Sequence, residues 1–351
     1  MNTINVGLVG FGYWGPNLAR NFSIVPGCQL KYICDLDVSR RERATAFYPG
    51  VRVTDHFDEI LQDADVHLVL VATPVSSHYP LVKKALEAGK DVLVEKPLAF
   101  SLEQAAELVA LAGKLGRMLA VDHTFLFTGA VRKIKELVDS GELGELLYFD
   151  SVRVNLGLFQ HDVNVLWDLA PHDLAILTYL CDDTPKWLTA MGAAHTLSEH
   201  ENQVYLHLEY DTKLVAHFHW NWLAPVKIRF TSICGTNKMV VYNDMETSEK
   251  VKVYDKGVTQ RTLAPDSMNK VIVDYRTGDM VAPKLRHGEA LAVEAEHIIH
   301  CVRSREKPIS DGAFSLKIMR ILECAEKSLR ENGRRISLSA IEPGPAARST
   351  P

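Results

Sequence analysis

An apolar run followed at once by three spaced glycines constrains this chain more than any other stretch. Residues 4–9 predict a buried strand and residues 16–23 predict a helix, with a Gly-x-Gly-x-x-Gly turn between them. In that position the turn is the pattern of a dinucleotide-binding loop. The first glycine makes a tight turn, the second lets the backbone approach a pyrophosphate, and the third packs the helix on the strand. The predicted cofactor contacts of the turn are Gly10, Phe11, Gly12, Tyr13, Trp14 and Gly15.

An acidic residue, Asp35, ends the second predicted strand at residues 31–34. In a dinucleotide-binding fold an acid there binds the adenosine ribose hydroxyls, and its charge repels a 2′-phosphate. Asp35 therefore favours NAD over NADP. Arg40 and Arg41 follow closely and could reach a 2′-phosphate, so NADP stays an alternative. Asp37 and Ser39 are better placed than Asp35 to cap the next helix.

Three further strand ends carry candidate residues. The apolar run 92–94 ends in Glu95-Lys96-Pro97, the run 67–72 in Thr73-Pro74, and the run 118–121 in Asp122-His123. Carboxyl ends of parallel strands line the ligand crevice, and strands alternating with helices up to residue 123 predict a doubly wound parallel sheet. His78 is predicted in the first turn of a helix, as a donor to phosphate or ribose or as a plain surface residue. The further predicted cofactor contacts are Thr73, Pro74, His78, Glu95, Lys96 and His123.

The stretch 167–173, Trp-Asp-Leu-Ala-Pro-His-Asp, predicts the start of a helix that runs to about residue 180. Pro171 fits the first turn of a helix, which places the predicted helix start near Asp168. Asp168 and His172 are four residues apart and share one face near the positive end of that helix. The field there favours the neutral imidazole that a general base needs. A capping Asp168 and a partly buried core His172 are an equally weighted alternative.

Beyond residue 145 the pattern changes to strands with few helices between them. Runs at 146–154, 186–194, 202–210, 213–222, 228–234 and 239–242 predict a large, mostly antiparallel open sheet. Helices are expected on one of its faces and a subunit contact on the other. His217 and His219 share a face, but no third ligand lies nearby, so packing is favoured and no metal is expected. The predicted domains are 1–123 for the dinucleotide, 124–340 for substrate and oligomerisation, and a flexible tail at 341–351.

Composition narrows the class of function. The formal net charge of -5 argues against a nucleic-acid partner. No apolar run approaches the roughly 20 residues that span a bilayer, and the first residues predict a strand rather than a signal peptide. The six cysteines are scattered without a Cys-x-x-Cys pair, which predicts reduced thiols. We expect a cytoplasmic protein that acts on a small molecule, with no nucleic-acid or membrane partner.

With the glycine turn, Glu95-Lys96-Pro97 and Asp168-x-x-x-His172 in this order, the chain resembles the Gfo/Idh/MocA oxidoreductases. Residues 137–144 also match that family's Leu-x-x-x-Gly-x-x-Gly turn. The resemblance implies an N-terminal Rossmann domain, a C-terminal α/β domain with a large open sheet, and homodimers or homotetramers built on that sheet. Many members carry an arginine where residues 124–127 stand here. The resemblance implies Lys96, Asp168 and His172 as the catalytic set, and the predicted substrate contacts are Lys96, Phe125, Asn155, Asp168 and His172.

The reaction expected from this resemblance is hydride transfer between a sugar carbinol and the nicotinamide of NAD. His172 would act as general base, Lys96 would stabilise the developing alkoxide, and Asp168 would orient the pair. The stretch 167–173 looks most like members acting on nucleotide sugars in surface-polysaccharide or lipid A pathways, such as the 3-position of UDP-N-acetylglucosamine. The alternatives are an NADPH-dependent keto-sugar reductase, an inositol or free-sugar dehydrogenase, and a non-catalytic dinucleotide-binding protein.

Overall fold

The computed structural model describes residues 3–157, 163–196, 200–262 and 271–340. These residues fall into two compact units. Residues 3–128 and 288–323 form the first unit, and residues 129–287 and 324–340 form the second. The stretch 288–323 thus returns to the first unit after the chain has built most of the second. The predicted tail at 341–351 lies outside the described residues, and the predicted domain division at residue 123 stays a prediction.

The first unit is built on a parallel sheet that has six strands within the described residues. The strands follow the spatial order β3-β2-β1-β4-β5-β6, which is the doubly wound order of a Rossmann fold with its switch point between β1 and β4. The predicted fold class of this half is therefore confirmed. Its elements are β1 (Ile4–Val9), α1 (Gly15–Ile24), β2 (Cys28–Cys34), α2 (Val38–Phe47), β3 (Arg52–Thr54), α3 (Phe57–Gln62), β4 (Val66–Val71), α4 (His78–Glu87), β5 (Asp91–Glu95), α5 (Leu102–Leu115) and β6 (Leu119–Asp122).

The second unit holds a sheet that has nine strands within the described residues, in the order β14-β13-β12-β11-β7-β10-β9-β8-β15. Neighbouring strands are antiparallel except β7 and β10, which are parallel. The predicted large, mostly antiparallel sheet is confirmed, although β13, β14 and β15 were not predicted. Its elements are α6 (Gly129–Asp139), β7 (Leu146–Leu156), α7 (Val165–Leu180), β8 (Trp187–Ala193), β9 (Gln203–Glu209), β10 (Val215–Asn221), β11 (Leu223–Gly235), β12 (Met239–Asn243), β13 (Val251–Thr262), β14 (Val271–Val281) and β15 (Ile336–Ser337).

Two helices, α8 (Ala290–Ser304) and α9 (Gly312–Arg330), follow the strand β14. Helix α8 packs against α1, because Leu291, Ala295 and Ile299 join a buried apolar cluster with Val6 of β1 and Leu18 of α1. This apolar stripe explains why the chain returns to the first unit, since the stripe would otherwise be exposed to water.

Strand β10 shows the predicted alternation between two faces. Ala216, Phe218 and Trp220 are buried on the face that packs against α7, whereas His217 and His219 lie on the other face. Among the described residues, no cluster of three or more His, Cys, Asp or Glu side chains is arranged to hold a metal ion. Within the same described ranges, no helix combines the length and the apolar character needed to cross a membrane.

The predicted start of helix α7 at Asp168 is wrong. The helix begins at Val165, and its N-cap is Asn164, whose side-chain oxygen accepts the N–H of Trp167 at 3.2 Å. Pro171 therefore lies inside the helix and not in its first turn. Pro171 has no N–H to donate to the Trp167 carbonyl, four residues earlier, so the helix lacks that backbone bond. Asp168 stays in the first turn without capping it, and the field of the helix start falls off before His172.

Candidate active site

The glycine turn has the shape of a cradle for a pyrophosphate. Gly10 has φ +93°, and a Cβ on it would overlap the carbonyl oxygen of Ala72. A Cβ on Gly15 would overlap the carbonyl oxygen of Gly10, so the start of α1 packs directly on the turn. At Gly12, by contrast, a Cβ would first meet the flexible guanidinium tip of Arg40 at 3.4 Å. The turn is therefore closed towards the protein and open on the Gly12 side, which fits a dinucleotide held at the N-terminus of α1.

Asp35 lies beside this turn at the end of β2. Its Oδ2 accepts the N–H of Phe11 at 2.7 Å, and its Oδ1 accepts the N–H of Asp37 at 2.9 Å. The Nη1 of Arg40 lies 3.6 Å from the same Oδ2. Two backbone donors and a guanidinium therefore hold the Asp35 side chain in place at the end of β2, where a ribose would bind. Asp37 itself caps α2, as the sequence predicted.

Arginines surround the ribose position more closely than the sequence indicated. Arg41 donates to the backbone carbonyls of Asp35 and Leu36, which turns it away from a ligand. Arg43, which was not predicted, donates to the carbonyl of Phe11 at 2.9 Å and stacks its guanidinium over the Phe11 ring. Arg40 is about half exposed and is the guanidinium best placed to meet a 2′-phosphate.

His78 joins two of the predicted cofactor segments. It is the first residue of α4 and is only 1% exposed, so it is not a surface residue. Its Nε2 lies 2.9 Å from the carbonyl oxygen of Thr73, and its Nδ1 lies 2.8 Å from that of Pro97. Burial lowers the pKa of His78, and the charge of Lys96 lowers it further, against the effect of the two carbonyls. Its ring therefore holds the ends of β4 and β5 together, and a direct contact with cofactor stays a prediction.

A buried cluster of carboxyl groups lies at the ends of β5 and β6. Glu95 and Asp122 are register partners, and Glu294 of α8 is completely buried. Asp122 accepts the indole N–H of Trp14 at 2.9 Å and is also bonded by the N–H and hydroxyl of Thr124. Burial first, and then the charge of Asp122, raise the pKa of both Glu95 and Glu294 well above the usual range. The raised pKa values favour the protonated form of both glutamates.

Sequence reasoning missed Asp122 and Glu294 as parts of the site. Asp122 was visible at a strand end beside His123, whereas Glu294 carries no local signal because α8 reaches the cluster only through tertiary packing. His123 is buried against Phe314 and its Nε2 lies 3.3 Å from the Ser315 hydroxyl. Burial lowers the pKa of His123 to about 4, so the ring is neutral. Its predicted cofactor contact stays a prediction.

Helix α7 carries the predicted acid and base of the second unit. Asp168 and His172 lie one turn apart on it, and the Oδ2 of Asp168 accepts the indole N–H of Trp222 at 3.1 Å. Asn155 lies near the end of β7, where a Cβ on Gly157 would contact both the Asn155 amide and the Trp222 ring. The structure thus places Asp168, His172 and Asn155 in the second unit, while Lys96 and Phe125 belong to the first.

A Rossmann sheet with an open glycine cradle and an acid at the end of β2 defines a dinucleotide-dependent enzyme class, and two family models match the chain. Residues 4–123 match the oxidoreductase family with an NAD-binding Rossmann fold, and residues 131–241 match the GFO/IDH/MocA C-terminal domain. The chain belongs to the Gfo/Idh/MocA family of NAD(P)-binding oxidoreductases.

Among curated relatives, the uncharacterized oxidoreductase YdgJ of Escherichia coli K12 is 36% identical over 184 residues, which is 49% of this chain and 51% of YdgJ. The chain thus spans about half of that relative. The scyllo-inositol 2-dehydrogenase (NAD(+)) of Bacillus subtilis 168 is 24% identical over 90% of this chain and 92% of its own length.

Two solved structures share the fold over almost the whole chain. UDP-N-acetylglucosamine 3-dehydrogenase GnnA from Acidithiobacillus ferrooxidans has a TM-score of 0.79 at 20% identity, covering 95% of this chain and 99% of its own. An oxidoreductase from Agrobacterium radiobacter in complex with NAD+, L-tartaric acid and magnesium has a TM-score of 0.81 at 19% identity, covering 97% and 99%. At these identities the likeness establishes the fold.

Proposed function

We propose that this chain oxidises a secondary hydroxyl of a sugar with NAD, and that the sugar belongs to a nucleotide sugar such as UDP-N-acetylglucosamine, oxidised at its 3-position. The observation that carries the proposal is that the first unit holds a glycine cradle with Asp35 beside it, and that the second unit holds Asp168 and His172 one turn apart on one helix. Dehydrogenases of an inositol and of UDP-N-acetylglucosamine among the similar proteins support a carbinol substrate.

The first unit supplies the cofactor site in this proposal. The cradle and the N-terminus of α1 hold the pyrophosphate, and Asp35 accepts the ribose hydroxyls. Gly10 and Gly15 keep the turn in the shape that leaves its Gly12 side open to the phosphates. A bound nicotinamide supplies the hydride acceptor. The predicted contacts at Thr73, Pro74, His78, Glu95 and His123 are parts of this proposal.

The catalytic roles fall on three side chains. His172 takes the hydroxyl proton as general base, and Lys96 donates a hydrogen bond that stabilises the developing alkoxide. Asp168 lies one turn from His172 and orients the pair. Phe125 and Asn155 are proposed to contact the sugar. The chemistry of each side chain suits its role: an imidazole nitrogen accepts a proton, an ammonium donates hydrogen bonds, and a carboxylate accepts them.

The first experiment follows the absorbance of reduced nicotinamide with UDP-N-acetylglucosamine or scyllo-inositol, with NAD and NADP in parallel and a carbonyl-trapping amine present. A rise with NAD and the nucleotide sugar supports the proposal. A rise with scyllo-inositol alone would show that the substrate is an inositol and not a nucleotide sugar. A rise with NADP alone would show that the cofactor is NADP and not NAD. No rise with any pair, while the folded protein binds NAD, contradicts the proposed activity and favours a non-catalytic dinucleotide-binding protein.

Replacing the proposed base tests the mechanism. We expect His172→Ala to lower kcat by roughly 10²–10⁴, because a positioned general base contributes about that factor. The matched control is His300→Ala, since His300 is an exposed residue of α8 and has no proposed catalytic role. Equal turnover of His172→Ala and the parent protein would reject the assignment.

A reduction of a keto-sugar with NADPH is the second candidate. It is favoured by Arg40, which is half exposed and only 3.6 Å from Asp35. Kinetic constants for NADPH that exceed those for NADH in keto-sugar reduction would favour this direction.

We also propose a homodimer or homotetramer in which the sheet face opposite α7 forms the contact. Met191 and Tyr205 lie about half exposed on neighbouring strands there, in register with each other. Light scattering of the purified protein measures the subunit number, and a monomer at working concentration contradicts this part.

A further inference from the structure

Two tryptophans at the end of β10 each donate an indole N–H to an aspartate of α7. The Nε1 of Trp220 lies 2.7 Å from the Oδ2 of Asp173, and the Nε1 of Trp222 lies 3.1 Å from the Oδ2 of Asp168. Both tryptophans are at most 2% exposed. Trp220 belongs to β10 and Trp222 lies just beyond its end, so the two indoles bind the helix at two points.

The two contacts differ in what surrounds the aspartate. Asp173 is buried, and Arg153 of β7 adds a bidentate pair, with its Nε at 2.9 Å and its Nη2 at 2.8 Å from the two carboxylate oxygens. Asp173 therefore ties α7 to the sheet. Asp168 is only partly buried, so water can reach its carboxylate and the indole is not required to satisfy it. The Trp222 bond consequently contributes orientation more than stability.

We propose that Trp222 is a positioning residue for Asp168. A carboxylate rotates broadly about its last torsion angle, and one fixed donor on Oδ2 selects a single orientation. The other oxygen then keeps a constant direction relative to His172, which lies one turn along the helix. This inference rests on the proposed roles of Asp168 and His172, and it adds a residue that carries no part of the dinucleotide or catalytic motifs.

The kinetic test compares Trp222→Phe with Trp220→Phe. Both changes keep an aromatic ring and remove one indole N–H. For Trp222→Phe we expect a kcat that is roughly 10- to 100-fold lower, the effect of losing one hydrogen bond to a charged group. The KM for NAD and for UDP-N-acetylglucosamine should change less than about twofold, because such a loss acts on the transition state and not on ground-state binding.

The melting temperature separates orientation from a general loss of packing. Trp222→Phe removes one donor from a partly buried carboxylate, so its Tm should stay close to that of the parent protein while kcat falls. Trp220→Phe removes a donor from the buried Asp173, so it should lower the Tm and leave kcat close to that of the parent protein.

Indole NMR tests the contact without any substrate. The chain has five tryptophans, so ¹⁵N-labelled indoles give few signals, and the signal absent from Trp222→Phe identifies Trp222. We expect this signal to shift in Asp168→Asn, because the indole N–H then meets an amide group in place of a carboxylate oxygen. A Trp222 signal that is unchanged in Asp168→Asn, or an unchanged kcat in Trp222→Phe, overturns the inference.

Failure of this inference and failure of the proposed function give different results. If Asp168→Asn keeps full turnover while the indole signal responds to it, the contact exists and the proposed role of Asp168 is wrong. If the parent protein turns over neither sugar, the proposed function fails, and the positioning role fails with it.

Discussion

We propose that single side chains beside the glycine turn select between NAD and NADP. Asp35 is held by the backbone N–H groups of Phe11 and Asp37, and Arg40 lies beside it. The acid could be predicted from its place at a strand end. The positions of Arg40 and Arg43 could not, because the reach of a long side chain depends on the loop it lies against.

Asp35→Asn tests whether the charge of Asp35 selects NAD over NADP. The amide oxygen can still accept the Phe11 N–H, but the charge that repels a 2′-phosphate is gone, and Arg40 loses its ion pair with Asp35 while it keeps the longer one with Asp37. We expect the ratio of kcat/KM for NAD to that for NADP to fall roughly tenfold or more, the effect of one charged hydrogen bond. Asp37→Asn is the control, because it removes the other acid beside Arg40 and leaves Asp35 in place. An unchanged ratio in Asp35→Asn would contradict the role of Asp35.

The ends of helices α5 and α7 show which local sequence signals predict helix bounds. Helix α5 shows clear local signals at both ends, since Ser101 caps its start and Gly116 ends it with φ +62°. The start of α7 was misplaced because Pro171 was given more weight than Asn164, which is the better N-cap. Local signals at helix ends therefore predict bounds more reliably than a single proline does.

The anchor of α7 predicts a large effect on stability. In Arg153→Met the Asp173 carboxylate would keep only the Trp220 donor in a buried place, which should cost about 3–5 kcal/mol of unfolding free energy. Lys238→Met breaks the exposed pair with Glu142 and should cost no more than about 1 kcal/mol. Urea denaturation of both variants measures the difference. Equal losses would mean that the Arg153–Asp173 pair does not anchor the helix.

At the scale of the whole molecule, most of the architecture could be predicted from the sequence. Alternation of strands and helices in the first half, and of buried and exposed residues in strands such as β10, follows from local pattern. The return of 288–323 to the first unit could not be predicted, because an amphipathic helix shows which face it buries but not its partner. Glu294 reaches the carboxyl cluster by that return, and for the same reason the sequence could not assign it to the site.

The buried cluster makes stability depend on pH. Glu294 has a raised pKa in the folded protein, so folding retains a proton that the unfolded chain releases above about its ordinary pKa of 4.5. The contribution of Glu294 to the free energy of unfolding is fully present at low pH. It is lost as pH rises towards the pKa that Glu294 has in the folded protein. We therefore expect Glu294→Gln to gain unfolding free energy relative to the parent protein, and the gain to grow between pH 5 and pH 8.

His123 acts in the opposite direction, because its pKa of about 4 in the folded state lies below the ordinary 6.5. The free energy of unfolding that the neutral His123 contributes is lost as pH falls from about 6.5 through 4. Acid denaturation is therefore expected in both Glu294→Gln and the parent protein. Glu296→Gln, an exposed position on the same helix, is the control and should show no pH-dependent gain. Denaturant titrations at both pH values measure all three proteins, and a Glu294→Gln gain that is flat with pH would mean that Glu294 is ionised in the folded protein.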